Sequence, residues 1–177
     1  MPANVTTVFA TTRALAIALL LMAQAAMAGT VTTLDPDDYR SFVGNWMPQG
    51  APLCAAMRSA DDWNRVLHPA ATMGSTRPFA PPAGLWNDRA VLLIARVVPA
   101  GDSAHAFRLL GVERTQDAIE VNVLFKSAPP ASSSEKVWLA VEVQKPLPAL
   151  VRFRQEGNIV CALSPDRGNW VAPPLPK

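Results

Sequence analysis

The chain has 177 residues, half of them hydrophobic and 17% charged, with 17 prolines, 9 glycines, 2 cysteines and a formal net charge of +2. That length leaves room for one domain, and the apolar content excludes a wholly disordered chain. The near-neutral balance argues against nucleic acid as a partner, because that affinity comes from clustered Lys and Arg neutralising phosphates.

The apolar residues are bunched at the start. Met1–Thr12 carries no charged side chain, Arg13 supplies a positive charge, Ala14–Met22 is an unbroken apolar run, and Ala26-Met27-Ala28 is an A-x-A site followed by Gly29. This is the layout of a secretory signal peptide. A bilayer core about 30 Å thick needs roughly 20 apolar residues, and Gln24 with the small residues after it interrupts the run. Residues 1–28 therefore read as an address cleaved after Ala28 rather than as an anchor. No Cys follows to make the lipoprotein variant, and no later segment has the length to span a bilayer. The expected product is periplasmic or secreted, without stable membrane insertion.

The remainder divides into an N-terminal segment (29–52), a β-rich domain (53–163) and a Pro-rich tail (164–177). In the first, Asp35-Pro36-Asp37-Asp38 has the acid, the Pro at the first helical position and the further acids that open a helix, expected to run to about Val43. The same acids match part of a calcium loop, but the loop Gly and the distal Glu of a calcium site are missing, so they read as helix-capping residues. Ser59-Ala60-Asp61-Asp62 resembles a capping box and predicts a helix over about 60–68, stopped by Pro69. Trp63 and Leu67 are four apart, share a face and read as core.

From Asp88 the period changes to two. Ala90–Ala95 is a continuous apolar run, as in a central strand covered on both sides. Ile119–Phe125 and Val137–Val143 alternate, Phe107–Val112 and Leu150–Arg154 are weaker strands, and a strand around Cys161 follows the Glu156-Gly157-Asn158 turn. The short spacings favour antiparallel hairpins, with Ser127–Ser134 as one hairpin connection. The expected fold is mainly β, or α+β: a twisted antiparallel sheet or small β-sandwich with one helix inserted after the first core strand. Arg77–Trp86 reads as a Pro-rich loop, and the tail, ending Pro173-Pro174-Leu175-Pro176, reads as a fraying terminus or a polyproline ligand.

Both cysteines fall after the signal. An even count in an exported chain reads as a disulfide, Cys54–Cys161, stapling the first and last strands of the core. The alternatives are two buried free thiols or, less well supported, a metal site, since two Cys without a nearby His leave coordination positions unfilled. In the chain-entropy picture, closing a loop of about 100 residues is worth up to about 4.7 kcal/mol.

No catalytic, cofactor or metal constellation emerges. His68 closes a helix and His105 sits by the Gly101-Asp102-Ser103 turn, without metal spacing or a Gly-x-Ser-x-Gly elbow. Ser133-Ser134-Glu135-Lys136 matches Ser-x-x-Lys of the penicillin-recognising enzymes, but in an expected loop and without its companion motifs. Glu113, Glu120 and Glu142 read as single carboxylates on solvated strand faces. A surface remains: if strands pair in order, Arg152 and Arg154 share a face, with Arg108 on the matching face of another strand. Trp86 and Trp138 would add apolar area, the composition of interface hot spots. The alternative buries Trp138 under the helix or loop and leaves the arginines solvated.

The order of elements also carries a resemblance. A strand, then Ser59-Ala60-Asp61-Asp62-Trp63 opening a helix, then Trp86-Asn87-Asp88-Arg89-Ala90-Val91-Leu92-Leu93-Ile94 entering the next strand, then a β-meander, resembles the PrcB-like accessory proteins over about Leu53–Cys161. These are named for a component of a secreted bacterial protease complex. The family tends to have an aromatic where this chain has Arg89, and a Gly-rich turn where it has Gly101–His105. The resemblance implies a non-catalytic domain that stabilises or assembles a secreted partner, and it transfers no catalytic residue. The functional expectation is an exported, non-catalytic binding or assembly module acting on another envelope or secreted protein. Other readings are a periplasmic small-ligand domain closed by the Pro78–Trp86 loop, or a small hydrolase using His68 and His105.

Overall fold

A computed structural model of the chain describes residues 31–35, 38–39, 52–69, 74, 76–100, 106–126, 129, 131–165 and 171–172. The segment read as a signal peptide, the body of the helix expected from Asp35, His105 and the terminal prolines lie outside the described residues.

The described chain runs β1 (Thr32–Leu34), β2 (Leu53–Met57), α1 (Ala60–Leu67), α2 (Leu85–Asp88), β3 (Arg89–Pro99), β4 (Phe107–Arg114), β5 (Ala118–Phe125), β6 (Ser134–Gln144), β7 (Leu150–Gln155), β8 (Asn158–Leu163) and β9 (Val171–Ala172). These strands form a five-stranded sheet, β1-β6-β3-β2-β9, and a four-stranded sheet, β4-β5-β7-β8. The expected small sandwich with one inserted helix is the fold observed. The helix α1 and the Pro-rich loop form a further layer on the far side of the five-stranded sheet.

The middle layer is apolar on both faces. Alternate residues Ala90, Leu92 and Ile94 of β3 face the other sheet, with Val141 and Val143 of β6 and Ile119, Val121, Val123, Val151 and Phe153 opposite. The intervening Val91, Leu93 and Ala95, with Trp138 and Ala140, face Trp63, Val66 and Leu67 of α1. This explains the unbroken apolar run in β3: a strand buried on both sides has no polar face to alternate with.

Helix α1 starts as its sequence suggests. The Ser59 hydroxyl accepts from the Asp62 backbone N–H at 3.1 Å, and the buried Asp62 carboxylate accepts from the Arg58 N–H at 2.9 Å. Arg65 pairs with Asp62. The helix ends at His68, whose left-handed backbone (φ 47°) directs its N–H to the Asn64 carbonyl. Trp63, 1% exposed, is fixed by a 2.9 Å hydrogen bond from Nε1 to the Phe79 carbonyl and by ring contacts with Tyr39 and Trp138.

The pairing differs from a meander. β3 and β6 pair antiparallel over eleven residues, Arg89–Pro99 against Ser134–Gln144, although β4 and β5 separate them in the chain. β7 then returns beside β5 in parallel register, Glu120 level with Arg152. The reason is burial: Val137–Val141 of β6 are apolar on both faces, and only a place inside the five-stranded sheet covers both. Segment 127–133 consequently joins strands of different sheets rather than a hairpin, and Ser134, Glu135 and Lys136 of the Ser-x-x-Lys match are already in β6. True hairpins are β4–β5 and β7–β8, the latter turning through Glu156 and Gly157, both with positive φ. The tail also contributes structure, since Val171–Ala172 add to the β2 edge.

The disulfide is present, Cys54 to Cys161, with Cα atoms 6.3 Å apart and both residues fully buried. It joins β2 of one sheet to β8 of the other, with the short β1 and β9 lying outside this pair in chain order. The staple therefore runs across the sandwich, through its apolar interior.

Candidate docking surface

The residues singled out from the sequence separate into two groups on opposite sides of the molecule. Trp138 is 6% exposed and stands edge-on to Trp63, at 5.9 Å between ring centroids, on the helix side of the five-stranded sheet. It belongs to the core and not to a binding surface. This is the alternative the sequence also offers, with Trp138 packed under the helix. Trp86 is half-buried in α2, packed against the same helix-side cluster. Its carbonyl accepts from Lys145 Nζ at 2.6 Å, and Lys145 also reaches the Arg58 carbonyl at 3.0 Å. Ala80 and Leu85 join Trp86 there, so the Pro-rich loop seals the helix layer against the core.

The arginines lie elsewhere. On β5 the inward residues Ile119, Val121 and Val123 leave Glu120, Asn122 and Leu124 pointing away from the core. Register places Arg108 level with Leu124, Arg152 with Glu120 and Arg154 with Asn122. Arg108, Arg152 and Arg154 therefore share the outer face of the four-stranded sheet, as their spacing suggested, but without either tryptophan.

Nor are Arg152 and Arg154 simply solvated. Arg152 Nη1 donates to Glu120 Oε1 at 2.9 Å, and Arg154 Nε donates to Glu120 Oε2 at 2.6 Å. Arg154 also donates to the Gly157 carbonyl at 3.0 Å. The hydrogen bonds from Arg154 and Arg152 hold the Glu120 carboxyl below its ordinary range, against a smaller opposing effect of burial. Glu120 is thus the centre of an ionic cluster, which the sequence reading as a lone solvated carboxylate misses. Asn122 adds a 3.3 Å hydrogen bond to Glu113.

Two bulges frame this cluster. One in β4 lies between Leu109 and Gly111 and leaves Leu110 as the extra residue, 54% exposed. One in the β7–β8 pairing skips Val160 and puts Ile159, 39% exposed, level with Arg154. Both fall in the row Gly111–Asn122–Arg154–Ile159, one on each edge strand. Bulges re-aim side chains at sheet edges, and here they turn an aliphatic side chain outward on either side of the polar centre. A bulge leaves no periodic signal, so neither residue is legible in the sequence.

At one end of the sandwich Arg96 stacks on Phe125, 4.6 Å from the ring centroid, and donates to Gln155 at 2.8 Å. Burial lowers its pKa. Among the described residues no three His, Cys, Asp or Glu side chains converge as metal ligands, and His68 stands exposed at the end of α1.

Fold and surface together define a disulfide-linked β-sandwich with a helix on one side and a charged sheet face on the other. Comparison with protein-family models, curated proteins and solved structures gives no match to the chain.

Proposed function

We propose that the chain is an exported, non-catalytic binding or assembly module that acts on another envelope or secreted protein. The observation that carries this reading is the outer face of the four-stranded sheet. No helix or strand among the described residues packs over it, and it combines Arg108, Arg152 and Arg154 with the outward aliphatics Leu110 and Ile159. Arginine beside apolar area at a polar centre is the make-up of protein interfaces. A buried disulfide suits an oxidising compartment, and among the described residues no helix is long and apolar enough to cross a membrane. The signal layout of residues 1–28 supports export, with the mature chain beginning at Gly29. The resemblance to PrcB-like accessory proteins suggests a secreted protease complex as the partner.

Affinity capture from envelope extract tests the reading. The wild-type chain should retain a specific protein, and the Arg152→Ala/Arg154→Ala variant should retain less of it; retention of no protein by the wild type would count decisively against the proposal. Mass spectrometry of the exported chain should give a start at Gly29 and a mass two hydrogens below the dithiol form.

A further inference from the structure

We infer that the outer face of the four-stranded sheet pairs with a second copy of the chain, face to face, about a two-fold axis parallel to the strands. The inference rests on reading this face as a docking surface and names its occupant.

Charged and apolar side chains are distributed unevenly across the strand order β4-β5-β7-β8. One row reads Glu113, Glu120, Arg152, Ala162, and the next reads Gly111 with the bulged Leu110, then Asn122, Arg154 and Ile159. In these two rows the acids lie on β4 and β5 and the bases on β7, with an aliphatic residue at each edge of the second row, while Arg108 lies on β4 one row further along. A two-fold axis lying between β5 and β7 in the plane of the interface keeps each row at its own level and exchanges its ends. β5 of one copy then faces β7 of the other, and β4 faces β8.

Under that operation Glu120 of each copy lies opposite Arg152 of the other, Asn122 opposite Arg154, and Leu110 opposite Ile159. Acid meets base at Glu120 and Arg152, a neutral amide meets a base at Asn122 and Arg154, and apolar meets apolar at Leu110 and Ile159, which gives the self-complementarity an isologous interface requires. The in-plane dipole of each Glu120–Arg152 pair is also reversed in the facing copy, so the two attract. Four strands spaced about 4.8 Å apart and about six levels of about 3.3 Å give a footprint of about 400 Å² per copy. The two copies together cover about 800 Å², below the roughly 1,000 Å² of a stable interface, so the pairing is weak, reversible and dependent on concentration.

Sedimentation velocity of the disulfide-intact protein, from about 1 µM to about 1 mM, reads the equilibrium directly. The wild type should move from monomer to dimer across the range. Arg152→Glu sets acid against acid, Glu120→Arg sets base against base, and each alone should weaken the dimer at least tenfold. An equimolar mixture of the two variants restores acid against base at both contacts and should again give dimer. Leu110→Asp changes a side chain that is 54% exposed and leaves the core untouched; it should weaken the dimer as well, which keeps the inference testable if the charge variants fail to fold.

A wild type that stays monomeric throughout overturns the inference, as does a dimer unaffected by Leu110→Asp. A monomer that still captures an envelope protein leaves the proposed function standing. A dimer that captures none sinks that function and leaves the self-pairing intact.

Discussion

Glu120 accepts hydrogen bonds from two arginines of the parallel neighbouring strand, and its ionised form is thereby favoured in the folded state. A carboxyl whose folded pKa is lowered stabilises the fold fully above its unfolded pKa, and that stabilisation is lost as pH falls through the folded value. Urea unfolding followed from about pH 7 down to about pH 3 should therefore lose stability on the acid side, and Glu120→Gln should make that loss shallower. A variant with the same acid limb as wild type would show that the cluster does not contribute. At this scale the sequence suggested the shared face of Arg152 and Arg154, because alternation within one strand is local. It did not suggest their partner, because Glu120 reaches them through the parallel pairing of two strands, with Arg152 32 residues away in the chain.

The elements owe their position to what they bury. Trp63 connects α1 to the five-stranded sheet through Trp138 and to the Pro-rich loop through Phe79. Trp63→Ala should cost about 3–5 kcal/mol by chemical denaturation; a loss near that of a surface substitution would remove α1 from the core. The β7–β8 hairpin depends on Gly157, at φ +82°. Gly157→Ala places a side chain in the left-handed region and should lower stability by about 1–2 kcal/mol, although open space surrounds the new Cβ. The helix cap, the doubly buried β3 and this turn are legible in the sequence because each is set by residues a few positions apart. β1 and β9 escape notice because three and two residues carry too little period. The place of β6 carried a usable signal: Trp138 and Ala140 alternate with Val137, Leu139 and Val141, so both faces are apolar, as in β3.

For the molecule as a whole, the Cys54–Cys161 bridge links the sheets across 107 residues of chain. Replacing both cysteines by alanine should lower stability by about 2–5 kcal/mol. Both sulfurs are inaccessible in the native state, so a reductant should act at the rate of unfolding, faster in denaturant and slow in buffer. Rapid reduction of the folded protein would contradict the buried bridge.

Composition, periodicity and cysteine count alone determined a mainly β domain, an inserted helix and a disulfide, because these depend on local spacing or on composition. The tertiary structure decided the division into two sheets, the parallel return of β7, the burial of Trp138 and the gathering of Arg108, Arg152, Arg154 and Glu120 on one outer face. The physical reason is that these depend on which sheet each strand joins. That choice is made by the competition among all strands for burial on one face or two, and no single segment encodes it.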